Sequence, residues 1–302
     1  TSYTFVVDDV QGSIFDPHLI NVGTVSLSIE MGSGWNWFSV NVVGDDMSPN
    51  TVLATLDPEL NDLVKDQDNF AQYYGEEWGW GGALTVIDPT SMYMISTSNS
   101  GILEYAGVPV SPAATPISIG AGWNWISYLP QVDIVINDAL GTVAAEFNDL
   151  VKDQDNFAQY YGEEWGWGGA LTTMSPGKGY MLSVSNESTL IYPNGSSGMA
   201  RMVTELEEAK VLPATISSWA VNPRDYEFNA TMTISVDSRS DFDGDFVGVF
   251  VGGECRGIAE RREFIIDGSY NYSVMVYSNV EGEKLTFKYY SSLDDEVINY
   301  GE

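Results

Sequence analysis

Apolar and polar positions change over in short runs along most of this chain. Val25–Ile29 (VSLSI), Tyr93–Thr97 (YMIST) and Tyr180–Val184 (YMLSV) are strand-like runs of five residues. The sequences Trp35-Asn36-Trp37, Trp78-Gly79-Trp80, Trp123-Asn124-Trp125 and Trp165-Gly166-Trp167 set two indoles at i and i+2. A strand carries such a pair on one face. Gly75–Glu77, Gly162–Glu164 and Pro176–Gly179 have turn chemistry. Short helical turns are expected at Asn50–Leu56 and Val135–Leu140. Met199–Leu212 has helical spacing and is stopped by Pro213, so it reads as a helix or semi-rigid connector. From about residue 217 the runs of five to eight residues between regular turns predict a sandwich. Val251–Glu254 (VGGE) there reads as a tight hairpin. The predicted class is all-β.

Self-comparison adds a duplication. Asn61–Thr85 (NDLVKDQDNFAQYYGEEWGWGGALT) recurs as Asn148–Thr172, identical at all 25 positions with an offset of 87. GWNWFS (Gly34–Ser39) recurs as GWNWIS (Gly122–Ser127). Pro89, Tyr93, Met94, Ser98, Asn99, Leu103 and Tyr105 match Pro176, Tyr180, Met181, Ser185, Asn186, Leu190 and Tyr192. The predicted organisation is an N-terminal segment at 1–29, β-repeats at 30–113 and 114–197, a linker or short helix at 198–216 and a sandwich at 217–302. A recent duplication accounts for the identity; so does a surface that must present one contact twice. The first repeat reads Asp88–Tyr93 (DPTSMY) where the second reads Ser175–Tyr180 (SPGKGY), so its hairpin turn is expected to differ.

GWNWIS and SPGKGYMLSVSNESTLIYPNG (Ser175–Gly195) resemble the tandem β-domains of large secreted and cell-surface proteins of Gram-negative bacteria. Ser218–Asn222 (SWAVN), Phe246–Glu260, Tyr272–Asn279 and Glu283–Tyr290 resemble the immunoglobulin-like domain that often follows them. The resemblance covers roughly 30–197 and 217–302. It implies two duplicated β-domains, then an immunoglobulin-like sandwich, and export by a type IX secretion-like route. Such proteins often end in a sorting module; none follows Glu302, so it has been cleaved, lies beyond this sequence, or the analogy stops there. The motifs speak to architecture and hardly to function.

Composition narrows the setting. The 302 residues carry 43 Asp and Glu against 12 Lys and Arg, a net charge of −31. Residues 1–200 hold 24 acidic side chains and only Lys65, Lys152 and Lys178. A polyanion has no footprint for phosphate backbones and is repelled by anionic lipid. No apolar run reaches a membrane span. One cysteine, Cys255, makes no intrachain disulfide and no thiolate zinc site. His18, the one histidine, has no nucleophile motif beside it and reads as a structural or surface residue. Scarce lysine with abundant Gly, Tyr and Trp suits an exported β-protein in salty water, where self-repulsion is screened. The chain starts at Thr1 without a leader, as a processed export signal or a trimmed chain would.

The candidate chemistry is sparse. The pairs Trp78/Trp80 and Trp165/Trp167, flanked by glycine, read as stacking platforms for a glycan or partner, or as core. Asp241, Asp243 and Asp245 alternate like a calcium loop. They lack the bidentate glutamate of a helix-loop-helix site, since position 252 is Gly. Asp66 and Asp68, with their copies Asp153 and Asp155, together with Glu76, Glu77, Glu163 and Glu164, offer further hard oxygen ligands; solvated acidic surface is the plainer reading. Paired carboxylates for glycoside hydrolysis have no sequence support. Ser2, Tyr3, Thr4, Phe5, Val6 and Val7 form a strand with no assigned partner. It pairs within its own chain or completes a sheet in a neighbour. The sequence therefore predicts a non-enzymatic extracellular protein that self-assembles into a filament, sheath or layer, with calcium as the only expected cofactor. The alternative is a carbohydrate-binding adhesin module. The expected partners are a second copy or a surface glycan, with no nucleic acid and no membrane insertion.

Overall fold

The computed structural model describes residues 23–194, 212–236 and 243–300. It is all-β, with 45% of residues in strands and 7% in helix. Ser2–Val7, His18, Asp241 and most of Met199–Leu212 lie outside the described residues.

The first repeat contains β1 (Val25–Met31), β2 (Gly34–Ser39), β3 (Val42–Val43), β4 (Leu63–Lys65), β5 (Phe70–Tyr73), β6 (Trp80–Gly82), β7 (Met92–Thr97) and β8 (Gly101–Pro109), with the helical turn α1 (Pro49–Val52). Five strands form an antiparallel sheet in the order β2-β7-β4-β5-β6, and β1-β8-β3 form a second. The second repeat contains β9 (Ile117–Ile119), β10 (Gly122–Ile126), β11 (Ile134–Val135), β12 (Leu150–Lys152), β13 (Phe157–Tyr160), β14 (Trp167–Gly169), β15 (Thr173–Met174), β16 (Tyr180–Val184) and β17 (Ser188–Leu190), with α2 (Ile136–Ala139). Its main sheet, β10-β16-β12-β13-β14, reproduces the first. β1 spans 25–31 and pairs with β8 from Val25↔Gly107 to Met31↔Gly101, so the first repeat takes in residues before position 30.

Local sequence explains the shared pattern. In β7, Tyr93 and Ile95 enter the core of the first repeat, while Met92 and Met94 pack on the opposite face with Trp37. A strand buried on both faces reads as continuously apolar. In the GWNW motif, Asn36 accepts from the Gly32 amide (2.9 Å) and donates to the Gly32 and Gly34 carbonyls. Asn124 repeats this on Gly120 and Gly122. Gly34 and Gly122, at φ 90° and 92°, supply the left-handed turn that the clamp closes on.

The hairpins at Asp88–Tyr93 and Ser175–Tyr180 are closed by the same bond, Ser91 N–H to Asp88 O (3.2 Å) and Lys178 N–H to Ser175 O (3.3 Å). Gly177 is left-handed, φ 81°, and Thr90 is not. The turn does differ between repeats, in type rather than in position.

The third domain contains β18 (Phe228–Ile234), β19 (Phe246–Val251), β20 (Glu254–Glu263), β21 (Tyr270–Ser278), β22 (Thr286–Ser291) and β23 (Glu296–Tyr300), in the order β18-β21-β20-β19-β22-β23. The long β20 pairs with β19 through residues 254–260 and with β21 through 261–263. The strands so folded enclose Val249, Val274 and Tyr289 as in a β-sandwich. Val251 opposes Glu254 across Gly252 and Gly253, at φ 57° and 94°, the two left-handed residues of the hairpin expected there.

Candidate functional site

The duplicated block builds a contact between the repeats. Its loop Asp66–Asn69 joins β4 to β5. Asp66 Oδ1 accepts from the Asp68 and Asn69 amides at 2.8 and 2.6 Å. Asp153 does the same for Asp155 and Asn156 at 2.9 and 2.7 Å. Each loop thereby offers its glutamine to the other repeat. Gln154 accepts from Trp37 N–H (3.1 Å) and donates to Trp35 O (2.8 Å). Gln67 accepts from Trp125 N–H (3.0 Å) and donates to Trp123 O (3.1 Å).

The bridges Phe38↔Lys178 and Ser91↔Ile126 are reciprocal in the same way. Residue i of one copy meets j of the other and the reverse, so the repeats are related by an approximate twofold. The contact buries Trp37, Met92 and Met94, packed by Trp35, Trp125 and Met181. It also covers the free edges of β2 and β10, which unpaired would invite other strands.

The third domain docks on one side of this twofold. Met275 and Tyr277 of β21 bury Phe157 of β13, helped by Val221, Tyr226 and Leu150. Phe264 meets Tyr161 edge-on at 5.1 Å. The Tyr277 hydroxyl donates to Gln154 O (3.0 Å). Lys152 Nζ donates to Asn229 Oδ1 (2.7 Å) above the Trp123 ring, and burial pushes its pKa down to about 8. Across the axis, Lys65 pairs with Glu227 (2.6 Å) and Arg224 Nε donates to Asn36 Oδ1 (2.9 Å).

A cleft of roughly 270 Å³ lies where the three domains meet, lined among others by Asp153, Asp155, Lys178 and Arg224. Lys178 Nζ donates to the buried Asp153 carboxylate (3.0 Å). Burial works against the Lys178 charge, but Asp153, with Asp155 and Asp133 beyond it, outweighs this and the pKa rises. Lys178 and Asp153 thus neutralise each other.

The Trp-Gly-Trp pairs do not form two-indole platforms. Trp80 and Trp167 are core residues against Tyr73 and Tyr160, at 5.5 and 5.3 Å. Their backbone amides are held by Asn50 and Asn137. Trp78 is 73% exposed and Trp165 37%. The alternation fails because Gly79 and Gly166, at φ 64° and 67°, turn the chain between the indoles. The Trp-Asn-Trp pairs do lie in strands, and Trp35 and Trp37 share one packed face.

Several of the carboxylates proposed for calcium have partners within the chain. Asp243 pairs with Arg261. Asp245 is buried and accepts from Ser292 N–H (2.7 Å), Ser292 Oγ (2.8 Å) and the Tyr289 hydroxyl. Asp66 and Asp153 cap their loops. Among the described residues, no three His, Cys, Asp or Glu side chains converge on a metal-sized site. Cys255 is buried and its thiol lies near the Trp219 carbonyl.

Sequence reasoning missed Gln67 and Gln154, and it missed the docking residues Phe157, Tyr161, Met275 and Tyr277. The signal available was the identity of polar and aromatic positions within the block that a small core does not need. Compared with known protein families, curated proteins and solved structures, the chain matches none.

Proposed function

We propose that this is a non-enzymatic structural protein of a bacterial cell surface, a subunit that self-assembles into a filament, sheath or layer. One observation carries the reading: a single 25-residue block is presented twice, and its face around Phe157 is covered by the chain's own third domain while the matching face around Phe70, Tyr74 and Trp78 stays exposed. Strand-rich domains locked together by buried side chains make a stiff unit suited to bearing load. The net charge of −31 opposes assembly, so assembly needs salt at which the screening length falls well below ~10 Å, or divalent cations such as calcium between carboxylates. Ser2–Val7 would add to contact between subunits by strand exchange, and deleting residues 1–10 tests that part. The resemblance to tandem domains of secreted proteins supports an extracellular place. Among the described residues no helix is long and apolar enough to cross a membrane. Electron microscopy of the purified chain across salt and calcium concentrations decides; single particles under every condition would end the reading.

A second reading rests on the exposure of Trp78 and Tyr74: an adhesin module that stacks a sugar ring on an exposed aromatic side chain. A glycan array with wild type and Trp78→Ala tests it, and the absence of any signal lost in the variant sinks it.

A further inference from the structure

We propose that the open face of the first repeat, centred on Phe70, Tyr74 and Trp78, is a docking position for the C-terminal sandwich of a second copy of this chain. The residues of the second repeat that carry the sandwich all have identical counterparts in the first. Phe157, Tyr161, Gln154 and Lys152 correspond to Phe70, Tyr74, Gln67 and Lys65. Asn36, which Arg224 reaches across the twofold, corresponds to Asn124 in the same Gly-Trp-Asn-Trp setting. The chain therefore holds two equivalent docking positions and one domain to fill them. Phe157 is 2% exposed beneath the sandwich, whereas Phe70 is 52% and Tyr74 48% exposed.

The two positions exclude each other. The docked sandwich already engages both lysines near the axis, Lys152 through Asn229 and Lys65 through Glu227. A sandwich related to it by the twofold would need the same two lysines in exchanged order. A copy that accepts its neighbour's sandwich therefore releases its own, and the released one is free for the next copy. Docking between copies is an exchange that propagates head to tail. Because one contact replaces an identical one, concentration sets the balance: a second copy competes with a tethered domain whose effective concentration is on the order of mM. A crowded surface layer meets that condition and a dilute solution does not. This proposal rests on the self-assembly reading and names its contact.

Phe157→Asp tests it in the full chain. The substitution puts a carboxylate under Met275 and Tyr277. It spares the repeat's own fold, since Phe70 stands half out of an identically folded sheet. The expected result is concentration-dependent oligomers in sedimentation velocity, appearing at least ~100-fold below any wild-type threshold, the factor that follows from losing a buried phenyl contact. Adding Phe70→Asp returns the protein to a monomer. Hydroxyl-radical labelling of Phe70, Tyr74 and Trp78 falls in the oligomer. The peptides can be told apart because the substitution ends the identity of the two blocks. Phe157→Ser gives the same readings if the aspartate variant fails to fold.

Three results overturn the proposal: a monomer at every concentration, oligomers that survive Phe70→Asp, or protection of Phe70 within a monomer. Wild-type filaments that persist with Phe70→Asp remove this contact and leave self-assembly standing. A wild type that never assembles, beside a Phe157→Asp variant that does, removes the physiological assembly and leaves the contact.

Discussion

The two copies of the 25-residue block share a sequence and a backbone but not an environment. Asn61 and Asn148 both take left-handed φ, 77° and 75°. Asp62 and Asp149 both accept from a serine, Ser98 and Ser185, at 2.9 Å from the amide and 2.7 Å from the hydroxyl. Yet Lys65 is partly exposed where Lys152 is buried, and Phe70 is open where Phe157 is covered. Turns, clamps and pairing follow from the local sequence. What a side chain meets beyond its own sheet follows from which copy the third domain occupies.

The largest effects should be the same in both copies. Trp80→Ala and Trp167→Ala each remove a core indole and are expected to cost ~3–5 kcal/mol, measured as the loss in urea unfolding of the repeat concerned. A gap above ~1 kcal/mol between them would mean that the repeat cores are not equivalent. The next pair should differ sharply. Phe157→Ala is expected to cost ~2–4 kcal/mol because it empties the docking contact. Phe70→Ala should stay within ~0.5 kcal/mol, as exposed substitutions do. Equal costs would show that the open face is covered in solution.

Much of the fold was legible in the sequence. The class, the duplication, the helical turns at α1 and α2 and the Val251–Glu254 hairpin rest on short-range patterns, and such patterns survive folding. The site was legible only in part. The Trp-Asn-Trp alternation held because the chain there is extended, and the Trp-Gly-Trp alternation failed at the left-handed Gly79 and Gly166. Asp66 and Asp153 accept from their own loops, and a sequence does not distinguish a carboxylate that caps its loop from one that awaits a cation. Gln154 and Met275 become contacts only once the chain has folded back over more than a hundred residues, and no local pattern encodes that.

The glutamines sharpen the comparison at lower energy. Gln154→Ala strips partners from the Trp37 amide and the Trp35 carbonyl beside a buried cluster, and is expected to cost ~1–3 kcal/mol. Gln67 and Trp123 are more exposed, so water replaces part of what Gln67→Ala removes, and a cost below ~1 kcal/mol is expected. Protease susceptibility of the junction between the repeats reads both; a reversed order would place the tighter seam at the wrong edge.

The last effect is electrostatic and belongs to Lys152. Burial under the sandwich brings the Lys152 pKa down to about 8, while an unfolded chain holds that proton to about 10.4. Between these values the unfolded state binds more protons than the docked one, so stability rises with pH. Below pH ~8 both states are protonated and the full cost of burying the charge is felt. Above pH ~10 the gain ends, and buried tyrosines act in the opposite sense: Tyr277, whose pKa burial raises, ionises first in the unfolded state. The thermal midpoint should therefore climb between pH 7.5 and 9.5 by an amount that Lys152→Met abolishes. Lys152→Met keeps the stem against Trp123 and removes the charge, so a slope that persists in it would assign the titration to another group.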